Sequence, residues 1–203
     1  MEDLTEPWAA AFALAREAML AGTTPVGCVV LDEDGRVAVR GRGRRYSVDN
    51  VPGQLSNSHL AHAELNALAQ LAPTRRYEDY TVYTTLEPCL LCVGAAVMAT
   101  VGRVEYAGAD PYGGAAHLTL RNAHTARMVP IIVGPAEGSL GTLGALLHYA
   151  FYAQRDPTGV VTAAYREAMP SFVALVERAE LTPELLRLKT EQRDLADVIA
   201  MLG

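Results

Sequence analysis

Residues 80–107 read YTVYTTLEPCLLCVGAAVMATVGRVEYA, and their pattern decides the fold class. Tyr80–Thr84 is rich in β-branched and aromatic residues, as a strand is. Pro88–Thr100 opens on a proline suited to a first helical turn and continues through small and apolar residues. Arg103–Ala107 returns to strand character. The same alternation continues downstream, with a short helix within Gly113–Ala126 and a strand over Val129–Val133. Strand, helix, strand, helix, strand implies right-handed crossovers and parallel pairing, hence an α/β fold.

Upstream, Trp8, Phe12, Ala15 and Met19 recur at helical spacing within Pro7–Ala21, so a helix is expected there with this stripe in the core. Val26–Leu31 is an apolar run that suits a buried strand, and Cys28 within it reads as core. Asp34-Gly35 is a hairpin signal leading to a strand over Arg36–Arg40. Gly41–Ser58 has no period and is expected as a long loop of the kind that often carries function. Leu60–Leu71 reads as a helix with Ser58 as cap. After Gly134 helical patterns take over, at Leu143–Ala153, Thr158–Met169, Ser171–Glu180 and Pro183–Leu202. The expected organisation is therefore a domain over residues 1–136 with a C-terminal helical extension, residues 137–203, packed on it.

Composition narrows the classes. The chain has 203 residues, half of them hydrophobic, and a net charge of −6. That balance lowers the prospect of a grip on nucleic acid through phosphates. Lys189 is the lone lysine among 17 basic residues, so lysine-nucleophile chemistry has a single candidate. Three cysteines, Cys28, Cys89 and Cys92, do not make a secreted disulfide framework. No apolar run reaches 18 residues and the N-terminus does not read as a signal peptide, so a cytoplasmic protein without a membrane partner is expected.

The chemistry is carried by two short pieces, His62-Ala63-Glu64 and Pro88-Cys89-Leu90-Leu91-Cys92. Cys89 and Cys92 share one helical face in a first turn, where the macrodipole favours thiolates. One imidazole and two thiolates give Zn2+ three protein ligands and leave a fourth position for water, as catalytic sites do. Glu64, two residues from His62, can face the same pocket and move protons for that water. His59 would be a fourth ligand if the site were structural; otherwise it is an ordinary loop residue. Arg40, Arg42, Arg44 and Arg45 read as a solvated face, or more sharply as a phosphate contact. His117, His124 and His148 read as surface or capping groups. Tyr112, beside Gly113-Gly114, could stack on a base.

His62-Ala63-Glu64 together with Thr85-Leu86-Glu87-Pro88-Cys89-Leu90-Leu91-Cys92 resembles the cytidine/deoxycytidylate deaminase superfamily, whose zinc signature this is. Thr24-Pro25-Val26-Gly27, Gly102-Arg103-Val104 and Ala109-Asp110 are similar to the branch of tRNA adenosine deaminases, guanine deaminases and fungal cytosine deaminases. The resemblance covers about residues 6–134. It implies a three-layer α/β/α fold on a five-stranded mixed sheet, usually assembled as a homodimer. It also implies Zn2+ on His62, Cys89 and Cys92, catalysis by Glu64, and a base pocket lined by Val26, Ala63 and Asp110. A histidine at position 62 argues against the small tetrameric cytidine deaminases.

Members of this branch often carry an asparagine just after the second strand. Here that stretch is Gly41-Arg42-Gly43-Arg44-Arg45, and the next asparagine is Asn50. Glu64-Leu65-Asn66-Ala67 is similar also to the deoxycytidylate deaminases. The expected activity is hydrolytic deamination of a nucleobase, nucleoside, nucleotide or related small heterocycle. A tRNA-specific adenosine deaminase is the alternative, and a non-catalytic zinc-bearing binding module is an alternative of another class.

Overall fold

A computed structural model describes residues 5–118 and 120–178. The helix expected over Pro183–Leu202 lies outside them.

Five strands form one mixed sheet in the order β2-β1-β3-β4-β5. They are β1 (Gly27–Leu31), β2 (Val37–Arg42), β3 (Thr81–Leu86), β4 (Arg103–Gly108) and β5 (Ile131–Val133). β1 pairs antiparallel with both β2 and β3, Cys28 lying opposite Gly41 on one side and Thr84 on the other. β3 to β4 and β4 to β5 are parallel, as the strand–helix alternation requires. All five residues of β1 are buried because both faces of this central strand are covered. The hairpin at Asp34-Gly35 forms with Gly35 at a φ of 77°. Asp32 Oδ1 accepts there from the backbone N–H groups of Asp34 and Arg36. β5 begins two residues later than its apolar run, after Pro130, which has no N–H for the ladder.

One face of the sheet carries α2 (Ala63–Leu68) and α3 (Leu90–Ala99), packed on Cys28, Val30, Val82 and Val104. The opposite face carries α1 (Glu6–Leu20) and α5 (Gly138–Arg155). Phe12 and Ala15 of α1, Ala107 of β4, and Leu143, Leu146 and Leu147 of α5 belong to one buried cluster. Trp8 stands edge-on against Tyr83, 5.1 Å between centroids, at the rim of this layer. The short α4 (Ala123–Ala126) precedes β5, and α6 (Val160–Ala168) and α7 (Pro170–Arg178) follow α5. Tyr165, Val173 and Val176 of these last helices join the same cluster.

α5 approaches the sheet at van der Waals limits. A Cβ on Gly144 would lie 2.2 Å from the Thr85 carbonyl oxygen, and one on Gly108 2.2 Å from the Ala145 nitrogen. α2 is shorter than the Leu60–Leu71 pattern predicts: Leu60–His62 are not helical, and His62 is the N-cap with extended backbone, φ −82° and ψ 155°.

Candidate active site

The ends of β1 and β3 and the starts of α2 and α3 meet at one edge of the sheet. His62 is the N-cap residue of α2 and Cys89 that of α3; Cys92 lies in the first turn of α3. Their donor atoms form a nearly equilateral triangle. Cys89 Sγ and Cys92 Sγ are 3.5 Å apart, and His62 Nδ1 is 3.5 Å from each. Ligands of a tetrahedral zinc at ordinary Zn–S and Zn–N lengths stand roughly 3.5–3.8 Å apart, so this donor set fits that ion. No fourth histidine, cysteine or carboxylate joins the group among the described residues. His59 does not: its Nδ1 accepts a hydrogen bond from Arg45 at 2.7 Å.

The charges show what the triangle needs. The hydrogen bond from the Cys92 thiol, aided by His62, brings Cys89 down to about 4. That same bond and burial push Cys92 well up. One thiolate is thus formed at the other's expense, an opposition that a dication removes by stabilising both.

Glu64 sits beside the triangle and is 5% exposed. Its Oε1 accepts from the Thr84 hydroxyl at 2.8 Å, and its Oε2 lies 3.3 Å from Cys92 Sγ. Burial raises its carboxyl above the usual range, opposed mainly by the charge of His62. A carboxyl held upward can both take and return a proton near neutral pH.

A cavity of about 170 Å³ lies over these groups. Val26, Ala63 and Asp110, the residues expected at a base pocket, all line it. Asp110 Oδ1 accepts from the backbone of Tyr112 and Gly113, 3.0 Å each, and Glu87 holds the Asp110 backbone N–H at 3.2 Å. Tyr112 is also on the wall, with 57% of its surface exposed.

Gly43 and Arg45, of the stretch after β2 that carries no asparagine, line the cavity. A Cβ on Gly43 would lie 2.2 Å from the Thr24 carbonyl oxygen, so this backbone admits glycine alone.

His148 is the residue that sequence reasoning misplaced. Expected at the surface or as a cap, it is 5% exposed and lines the cavity from α5. The signal was present: Leu143–Ala150 has no polar stripe besides this histidine, and a helix apolar all round is buried all round. Tyr165 Oη donates to the Ala109 carbonyl at 3.3 Å, so it accepts from His148 Nδ1 at 3.1 Å. This hydrogen-bond pattern assigns the proton to Nδ1 and leaves Nε2 as an acceptor. Burial lowers the His148 pKa, against the opposing pull of Asp110, and favours the neutral ring. His117 and His124 are exposed, as expected.

Of the arginine cluster, Arg40 is exposed, as a solvated face requires, Arg42 and Arg45 are half-buried, and Arg44 is buried. Arg44 is 3% exposed and bonds Asp49 Oδ2 at 2.7 Å, with Arg42 at 3.5 Å from the same atom. The loop is folded back by buried Asn66, which accepts from Leu55 N–H and donates to the carbonyls of Arg42 and Leu55. The burial of Arg44 follows from this fold of the loop, held by Asn66 from α2, which composition does not report.

Residues 1–108 match the family described as the cytidine and deoxycytidylate deaminase zinc-binding region. The chain belongs to this family. Over 108 residues it is 42% identical to the tRNA(Ile)-lysidine synthase of Deinococcus radiodurans, covering 52% of this chain and 17% of that protein. Over 103 residues it is 32% identical to the tRNA-specific adenosine deaminase of Bacillus subtilis, covering 49% of this chain and 58% of that one. The chain thus spans well under two thirds of either curated relative. A solved structure from work on A-to-I editing by tRNA:A34 deaminases aligns with a TM-score of 0.53 at 30% identity. That alignment covers 64% of this chain and 91% of the other. The mixed five-stranded sheet is therefore this deaminase family's fold, and α5 to α7 lie beyond the segment that defines the family.

Proposed function

We propose that this chain is a zinc-dependent hydrolytic deaminase that converts an exocyclic amine of a nucleobase-like ring to a carbonyl and releases ammonia. The observation that carries the reading is Glu64. A carboxyl this buried, anchored by Thr84 and 3.3 Å from a candidate ligand sulfur, has no part in holding a structural metal.

In this reading His62 Nδ1 and the thiolates of Cys89 and Cys92 hold the zinc. Zinc held there would supply an acidified water, with a pKa of about 7. Glu64 Oε2, beside the ligand triangle, is placed to accept the two protons of a water that adds to the amine-bearing carbon, one after the other. It passes one to the ring nitrogen and the other to the departing amine, so that the ring's C(NH2)=N and H2O become C(=O)–NH and NH3. Val26 and Ala63 form the apolar wall for the ring. His148 Nε2 presents an acceptor to its edge, and Asp110, next to the Ala109 carbonyl that Tyr165 links to His148, shapes the wall through its turn.

Adenosine in tRNA is the second reading. The likeness to a tRNA-specific adenosine deaminase favours it, and the net charge of −6 weighs against it. The homodimer that the resemblance implies is supported by α3, which leaves Leu90, Leu91 and Met98 exposed. Light scattering at twice the chain mass is the expected result.

The test is ammonia release across adenine, guanine, cytosine, their nucleosides and monophosphates, triazines, and a tRNA anticodon stem-loop, with Glu64→Gln alongside. Turnover that Glu64→Gln abolishes while zinc stays bound supports the enzyme. Silence across the panel with zinc bound leaves the binding-module alternative.

A further inference from the structure

The inner cavity adjoins a second one of about 380 Å³, and the two share Arg45, Tyr112, Tyr152 and Val161. The outer cavity is built by the loop after β2 and by the junction of α5 and α6, which contributes Arg155, Asp156 and residues 159–162. That junction lies outside the segment that defines the family.

Two guanidinium groups reach this cavity. Arg155 lies 3.9 Å over the centroid of the Tyr46 ring, and Arg45 lies 5.6 Å from the same ring. Tyr46 is itself stacked on Phe151, 6.0 Å between centroids. The aromatic face holds both cations in place yet leaves their N–H groups available. Neither arginine makes an ion pair among the described residues, whereas Arg42 and Arg44 of the same loop both bond Asp49. Arg45 spends one N–H on the His59 ring nitrogen, and its Nε–H is buried without an acceptor. The first turn of α6 lies on the same wall, and its N–H groups have no intrahelical acceptor. Asp156 is the one carboxylate on this wall, and its Oδ2 is turned towards Gly159 at the start of α6.

We propose that the outer cavity binds the phosphate monoester of a nucleoside monophosphate whose aminated ring occupies the inner cavity. The proposal rests on the deaminase reading of the inner cavity and narrows it to one substrate class. A free base leaves the outer cavity unused, and a nucleoside leaves two like charges facing each other uncompensated. A phosphate monoester offers three acceptor oxygens and about two negative charges to the two guanidinium forks. An RNA phosphodiester would need a basic track leading away from the cavity. An acidic chain with Asp156 beside the arginines is poorly suited to that.

The experiment is calorimetric binding to zinc-loaded Glu64→Gln protein, which removes turnover from the readout. The probes are adenosine, guanosine, cytidine, deoxycytidine, their 5′-monophosphates and an anticodon stem-loop. For the accepted ring, the monophosphate binds at least about tenfold tighter than its nucleoside, as charge-assisted hydrogen bonds allow. Arg155→Gln, at an exposed and foldable position, brings that ratio close to one, and Arg155→Lys restores part of it. Equal binding of nucleoside and monophosphate, a ratio unmoved by Arg155→Gln, or no binding by any probe overturns the proposal. So does an anticodon stem-loop that binds tighter than every monophosphate and loses its affinity with Arg155. Arg155-dependent monophosphate binding without ammonia release by the parent protein removes the deaminase reading and keeps the phosphate site. Ammonia release without preference for the monophosphate does the reverse.

Discussion

Thr84 fixes the rotamer of Glu64, because a buried carboxyl with one hydroxyl donor on Oε1 keeps Oε2 aimed at the ligand triangle. Thr84→Val keeps the shape and deletes the donor. The hydrogen bond is to an ionisable buried group and is worth about 1.5–3 kcal/mol. The expected result is retained zinc, a lowered melting temperature and a kcat down by roughly tenfold or more. A kcat unchanged beside a lowered melting temperature would make Thr84 structural only. His148 yields a pH prediction. Its folded pKa lies below the unfolded value of about 6.5, through burial and the charges of His62 and Arg45, opposed by Asp110. The unfolded chain therefore takes up the proton first as pH falls. The stability is whole above about pH 6.5 and declines below it, towards the folded pKa. His148→Gln removes this titration, so its melting temperature should fall less than the parent's between pH 7 and pH 5.

His62, Glu64, Cys89 and Cys92 were legible in sequence because their chemistry is local, two or three residues apart at helix starts. His148 was not, since its setting depends on Tyr165 and Ala109, 17 and 39 positions away in the chain.

Among the elements, α5 departs most from its sequence pattern. The apolar run suggests a start near Leu143, whereas the helix begins at Gly138 and includes Gly141 and Gly144. Each interior glycine costs roughly 0.8–1 kcal/mol relative to alanine, so propensity argues against this first turn and a half. Packing overrides it, because a glycine at 144 lets the helix touch Thr85 and Gly108. The remaining elements were readable to within a few residues, since alternation and apolar runs report sheets covered on both faces. The short α2 was misjudged because His62 leaves helical geometry to reach the thiols, a demand of the site rather than of the pattern. Gly144→Ala tests the close approach. Its Cβ would meet backbone at 2.2 Å, a contact no rotamer relieves, so a loss of about 1–3 kcal/mol is expected. Because α5 also carries His148, kcat/KM should fall further than in a surface alanine variant of equal stability. Parent-like unfolding and turnover in Gly144→Ala would show that α5 can shift without cost.

At the scale of the whole molecule, the sequence suggests a domain ending near Ala136 with helices added, while the buried core does not divide there. Leu143, Leu146, Leu147 and Tyr149 of α5 are each at most 2% exposed and share a cluster with Phe12 and Ala15 of the first helix. Hydrophobic periodicity identifies α5 as amphipathic or buried but carries no information on which face of which sheet receives it. Removing residues 137–203 would expose Phe12, Ala15 and Ala107 and forfeit the burial of those four side chains. At about 1.5–3 kcal/mol each, that is roughly 6–12 kcal/mol, against a total stability of roughly 5–15 kcal/mol for a domain. A chain of residues 1–136 is therefore expected to lack a cooperative thermal transition and to bind a hydrophobic dye, even with zinc added. A chain of residues 1–178 should keep both the transition and the metal, since it retains every contact named here. If residues 1–136 unfold cooperatively and bind zinc, α1 and the sheet form a sufficient core alone, and α5 serves only to place His148 and Arg155.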